Sequence, residues 1–95
     1  MVLKIIINNK YLKVFDKFPI SIGRRDDNDL ALNDMLVSRI HCAIYNDSDT
    51  IFIADMKSTN GTYVNKKKLD LPMLISTDDL IVIGETILKI QDIGN

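Results

Sequence analysis

Cysteine and histidine each occur once in the 95 residues, as Cys42 and His41. A single cysteine cannot close an intrachain disulfide. One residue of each kind also cannot supply the CxxC pairs or Cys/His clusters that hold zinc or haem, so no metal and no other cofactor is expected. Glutamate appears once among 13 acidic residues and alanine three times, which leaves the chain poor in strong helix formers. Long apolar runs are missing too: the first, from Met1 to Ile7, is interrupted by Lys4 and ended by Asn8, short of a secretory core or a membrane span. The chain is therefore expected in the reducing cytoplasm, without direct membrane insertion. It lacks an excess of either charge, with 12 Lys+Arg against 13 Asp+Glu and a net charge of -1, and its aromatics amount to 6%. That balance disfavours nucleic-acid partners, an oligonucleotide-binding barrel among them.

The residues present are those of strands and turns. Apolar residues make up 46% of the chain and isoleucine alone occurs fifteen times, amid abundant Asp and Asn. Nowhere do apolar residues recur with helical spacing over three turns. The patterning predicts strands over Val2–Ile7, Tyr11–Phe15, Phe18–Ile22, Leu30–Leu32, Ile40–Tyr45, Thr50–Asp55, Thr62–Val64, Lys68–Leu69, Leu80–Ile83 and Thr86–Asp92. Asn8-Asn9-Lys10 and Gly84-Glu85 fit hairpin connections, while Pro19 and Pro72 fall beside strands, where a missing N–H costs least. Many short strands with frequent turns indicate an all-β sandwich or barrel, and without an internal linker residues 1–95 are expected to form a single domain.

Two polar loops, Gly23 to Asn33 and Asp55 to Gly61, carry groups suited to anions. All three arginines, Arg24, Arg25 and Arg39, lie in or beside such loops. A guanidinium presents a planar fork that matches phosphate oxygens, whereas lysine offers a hydrated point charge. Ser38-Arg39-Ile40-His41 adds a hydroxyl at a loop-to-strand junction, and Ser58-Thr59-Asn60-Gly61-Thr62 adds hydroxyls, an amide and a turn-forming glycine. Together, Gly23-Arg24, Ser38-Arg39-x-His41 and Ser58-Thr59-Asn60-Gly61-Thr62-x-x-Asn65 resemble the forkhead-associated (FHA) domain family in order and spacing.

The resemblance implies an eleven-stranded, SMAD-like β-sandwich of two twisted sheets whose loops at one end bind phosphothreonine in a partner protein. It implies a non-enzymatic module that recruits substrates of Ser/Thr kinases in signalling. By the same resemblance Arg24 and Ser38 contact the phosphate with Arg39 assisting, Thr59 lies beside the phosphothreonine methyl, and Asn60 holds the peptide main chain. Gly23, His41, Gly61 and Asn65 support the site. Arg39 stands where some members of the family carry Asn.

Each of these residues also has a plainer reading. His41 reads as a buried, hydrogen-bonded strut rather than a ligand or base, Ser38 could simply begin a strand, and Thr59 and Asn60 could be ordinary turn residues. Cys42 reads as a small buried hydrophobe. Asp26-Asp27-Asn28-Asp29 opens like a calcium loop, but Ala31 and Val37 stand where an EF-hand needs Gly and Glu. The glycosylation triplets at Asn46 and Asn60 have no meaning without secretion. Lys66-Lys67-Lys68 reads as a solvated hairpin tip close enough to the Asn60 loop to attract acidic peptide residues. An enzyme would have to rest on a hydroxyl with His41 and no evident orienting partner. The alternative to phosphate recognition is a sandwich that binds or scaffolds proteins through a face or edge strand.

Overall fold

The structure is a computed structural model and describes residues 1–94; the last residue of the expected 1–95 span lies outside them. Eleven strands form two sheets: β1 (Val2–Ile7), β2 (Tyr11–Phe15), β3 (Ile20–Gly23), β4 (Leu30–Ala31), β5 (Cys42–Asp47), β6 (Thr50–Asp55), β7 (Thr62–Val64), β8 (Lys67–Lys68), β9 (Met73–Ile75), β10 (Leu80–Ile83) and β11 (Thr86–Gly94). One sheet runs β2-β1-β11-β10-β7-β8 and the other β4-β3-β5-β6-β9. Every pairing is antiparallel except the short β3–β4 ladder.

Strict alternation drives this architecture. In β1, Leu3, Ile5 and Ile7 are buried while Val2, Lys4 and Ile6 are not, as expected of a strand with one face on a core. The same period places Ile20 and Ile22, Ile51 and Ile53, Ile81 and Ile83, and Leu88 and Ile90 in one cluster between the sheets. Each such side chain contributes about 1.5–3 kcal/mol when fully buried, so the isoleucine-rich composition supplies most of the cohesion.

The strands depart from the sequence expectation at particular places. β9 was not predicted, because Met73-Leu74-Ile75 carries no alternation and two of its three residues are exposed at a sheet edge. β3 begins at Ile20, since Pro19 has no N–H to give a ladder. β5 begins at Cys42 rather than Ile40, because the Arg39 carbonyl is turned to the Arg25 N–H and the Asn28 amide. β8 covers Lys67–Lys68, and β11 runs on to Gly94. The hairpin between β1 and β2 places Asn8 and Asn9 at positive φ, which asparagine tolerates.

The register gathers the connections β1–β2, β3–β4, β4–β5, β6–β7 and β10–β11 at one end of the sandwich. Among the described residues, no helix is long and apolar enough to cross a membrane, and no group of three or more His, Cys, Asp or Glu side chains could hold a metal ion.

Candidate functional site

At this end three loops meet, and His41 joins two of them. Its ring is fully buried; Nδ1 lies 3.0 Å from the Ser38 N–H, and Nε2 lies 2.8 Å from the Gly61 carbonyl oxygen. The Ser38 N–H can only donate and the Gly61 carbonyl can only accept, so Nδ1 is the bare nitrogen and Nε2 carries the proton. His41 is thus a strut between the β4–β5 and β6–β7 loops.

Gly23 is required by a close approach. A Cβ there would stand 2.3 Å from the Arg39 carbonyl oxygen, in the space where the β3–β4 and β4–β5 segments cross. The Arg24 N–H donates to the Ser38 carbonyl at 3.0 Å and the Arg25 N–H to the Arg39 carbonyl at 3.2 Å. These bonds fix where the arginines emerge. The Arg24 Nε donates to the Val37 carbonyl at 3.1 Å, which orients the guanidinium and leaves its two Nη groups for a ligand.

Arg24, Arg25, Ser38, Arg39, Ile40, Lys57 and Thr59 line one groove of about 590 Å³. Among the described residues the only ion pair is that of Arg25 with Asp27, so Arg24, Arg39 and Lys57 face the groove without a counter-charge. The Asp27 partner also raises the Arg25 pKa. The Ser38 Oγ accepts the Thr59 N–H at 2.9 Å. That bond occupies a lone pair and leaves the hydroxyl hydrogen to donate. Three free cations and an aimed hydroxyl in one open groove make an anion-binding surface.

The structure therefore brings Arg24, Ser38, Arg39 and Thr59 together. Asn60 stands outside the groove lining, on the side of Leu36, whose carbonyl accepts its Nδ2 at 2.9 Å; its Oδ1 remains an acceptor. Asn65 lies at the opposite end of β7, at φ 52°, where its amide bridges Asp79 at 2.7 Å and the Leu80 N–H at 2.9 Å. Gly61 takes φ +91° beneath the stem of Lys68. Of the three consecutive lysines, Lys66 occupies the solvated turn, whereas Lys68 returns beside the loops.

Several supporting residues were not foreseen. Lys57 and Ile40 line the groove, and the Asn28 amide donates to both the Arg25 and Arg39 carbonyls at 2.8 Å. Asp55 ties the β6–β7 loop, accepting the Ser58 hydroxyl at 2.5 Å, the Ser58 N–H at 3.0 Å and the Thr62 hydroxyl at 2.7 Å. Asp34 ties the β4–β5 loop to the β10–β11 hairpin through the Leu36 N–H, the Glu85 N–H and the Thr86 hydroxyl. Burial raises the pKa of both carboxyls, but the donated hydrogen bonds outweigh it and hold them below the usual carboxylate range. Asp55 stands where the predicted strand Thr50–Asp55 meets the polar loop, a place that does not mark it as the loop's anchor, and nothing local marks Asp34. Cys42 is buried, and that burial pushes its thiol up to about 12.

The sequence matches the profile described as "FHA domain" over residues 20–84. It is 34% identical over 67 residues to the glycogen accumulation regulator GarA of Mycobacterium tuberculosis, which covers 70% of this chain and 41% of GarA. It is 30% identical over 73 residues to the FHA domain-containing protein FhaB of Mycolicibacterium smegmatis, covering 77% of this chain and 47% of FhaB. The chain thus spans less than half the length of these curated relatives. A structure from a study of phosphothreonine-dependent FHA domain interactions superposes with a TM-score of 0.89 at 25% identity, covering 100% of both chains. The FHA domain of CT664 from Chlamydia trachomatis shares the fold with a TM-score of 0.89 at 22% identity, covering 99% of this chain and 100% of that one. The FhaA FHA domain, solved in complex with the intracellular domain of Rv3910, superposes with a TM-score of 0.81 at 27% identity over 94% of this chain and 99% of that one.

Proposed function

The chain belongs to the forkhead-associated (FHA) domain family, and we propose that it is a phosphothreonine-dependent peptide-binding module that recruits phosphorylated partner proteins in Ser/Thr kinase signalling. The observation that carries this reading is the groove itself: Arg24, Arg39 and Lys57 without counter-charge, beside a Ser38 hydroxyl whose oxygen is already engaged by the Thr59 N–H. A phosphate dianion supplies the missing charge and accepts the free donors.

In this reading the Arg24 Nη groups and the Ser38 hydroxyl bind phosphate oxygens, and Arg39 assists from the groove rim. Thr59 lies beside the threonine methyl. The free Asn60 Oδ1 accepts a peptide N–H and so aligns the main chain beyond the groove. Gly23, His41 and Gly61 hold the loops, and Asn65 holds the β7–β8 turn from the far end. The chain binds rather than catalyses, its residues act as one domain, and its partners are cytoplasmic kinase substrates.

Calorimetric titration with matched phosphorylated and unphosphorylated threonine peptides tests the proposal. The expected affinity is about micromolar, ~-8 kcal/mol, for a shallow loop site with one main anchor. Silence across a diverse phosphothreonine library, or equal binding of the unphosphorylated peptides, would overturn it in favour of a phosphate-independent scaffold.

A further inference from the structure

A second surface runs along the side of the sandwich where β2 and β4 are the terminal strands of their sheets. β2 pairs only with β1, so its other edge offers unpaired N–H and C=O groups. Its side chains are unusually bare for apolar residues, with Tyr11 56%, Leu12 50% and Val14 56% exposed. The register sorts them: Tyr11, Lys13 and Phe15 lie opposite Ile7, Ile5 and Leu3 on the inner face, while Leu12 and Val14 lie opposite Ile6 and Lys4 on the outer face. Beside the inner face a groove of about 330 Å³ separates β2 from β4, lined by Tyr11, Lys13, Leu30, Ala31 and Leu32 among others.

We propose that β2 is a docking strand for an extended, acidic segment of a partner protein, which pairs with the free edge, lays its apolar side chains beside Leu12 and Val14 on the outer face and directs its acidic ones toward Lys13 at the groove between β2 and β4. Backbone pairing supplies the attachment, and the exposed Leu12 and Val14 select apolar side chains of one parity. The charge selects the rest. Lys10, Lys13 and Lys17 follow one another along this segment with Asp16 the one acid among them, and none of the three forms an ion pair among the described residues. A second copy of this chain would bring the same three lysines with only Asp16 between them, and so offers the edge no charge complementarity. This surface shares no residue with the Arg24–Ser38 groove, so occupation of one leaves the other open.

The test is a titration of the isotopically labelled full chain with the probe acetyl-Glu-Ile-Asp-Val-Glu-Ile-Asp-amide, followed by backbone amide resonances. Shifts confined to residues 10–17 and 30–32 are expected, with slowed amide exchange in β2. The affinity should fall several-fold between about 50 and 300 mM salt. The pair Lys10→Glu with Lys13→Glu should lose this peptide and accept its lysine counterpart, Lys-Ile-Lys-Val-Lys-Ile-Lys. Should that variant not fold, the wild-type preference for the acidic over the basic peptide decides alone. Four results would each overturn the proposal: no shifts at millimolar peptide, shifts centred on the Arg24 and Thr59 loops, equal response to the basic peptide, or concentration-dependent changes at β2 without peptide, which would mark self-pairing.

Discussion

Replacing His41 with alanine separates a strut from a ligand contact. The ring is fully buried and makes two hydrogen bonds, to the Ser38 N–H and the Gly61 carbonyl. His41→Ala leaves both of those backbone groups without a partner. A buried polar group deprived of its partner costs about 1–3 kcal/mol, so the pair costs roughly 2–6 kcal/mol before the cavity left by the ring is counted. A domain of this size has only about 5–15 kcal/mol in total, and each kcal/mol moves the midpoint by about 4–8 °C.

The melting temperature of His41→Ala should therefore fall by at least about 10 °C. Binding should weaken too, because the stranded groups belong to the loops that carry Ser38 and Arg39 on one side and Thr59 and Asn60 on the other. A loss of about tenfold or more corresponds to ~1.4 kcal/mol of displaced geometry. Thermal unfolding by circular dichroism, paired with calorimetry well below the variant's midpoint, reads both quantities. A variant that melts like the wild type yet loses all binding would make His41 a ligand contact. One that melts early yet binds with unchanged affinity would show that the ring does not set the loops.

Arg24→Ala should have the opposite signature: phosphopeptide affinity drops by about 2–4 kcal/mol, roughly 30- to 700-fold, while the melting temperature moves little, since only the bond to the Val37 carbonyl is lost from the fold. Matched phosphoserine peptides should bind at least several-fold more weakly than phosphothreonine ones in the same titration, because one buried methyl contributes about 0.8 kcal/mol. Asp34 and Asp55 have folded pKa values below the ordinary range, burial opposing the shift and the donated hydrogen bonds overcoming it. Their contribution is complete above the unfolded value of about 3.9 and is lost as pH falls through the lower folded values. Thermal melts should accordingly show their loss only below about pH 4, and Asp55→Asn should flatten that acid limb.

How much of this was legible depends on distance along the chain. The strands with clean alternation, such as β1 and β6, were readable to the residue, because a period of two needs only local information. The three motif blocks were readable for the same reason, each lying within a few residues. Their joint geometry was not. Asn28 reaches the Arg39 carbonyl across 11 positions, and Asp34 reaches Glu85 and Thr86 across 51 and 52. No local pattern distinguishes these residues from the other polar residues of a turn-rich chain. Lys57 enters the groove by virtue of the loop Asp55 organises, so its place also depends on a contact the sequence does not display. β9 was hidden for a different reason: an exposed three-residue edge strand has too few buried positions to print a pattern.

Gly84 shows how such a long-range contact gives a residue a second role. In the sequence it reads as one half of a hairpin connection, and its φ of +58° fits that role. The structure adds that a Cβ at Gly84 would lie 2.8 and 2.9 Å from the two carboxylate oxygens of Asp34. Asp34 in turn holds the Leu36 N–H at 2.9 Å, and the Leu36 carbonyl holds the Asn60 amide at 2.9 Å. Crowding at Gly84 thus displaces the carboxylate that anchors the loop on which Asn60 rests. Gly84→Ala should cost about 1–2 kcal/mol for the left-handed backbone alone, with the displaced Asp34 adding to it. Gly84→Asn divides the two effects, since asparagine accepts the left-handed conformation but still carries the Cβ. If the carboxylate contact matters, both variants melt early and both bind a phosphothreonine peptide several-fold more weakly. If Gly84→Asn is as stable as the wild type, the backbone conformation alone explains the glycine and the link from the hairpin to Asn60 is refuted.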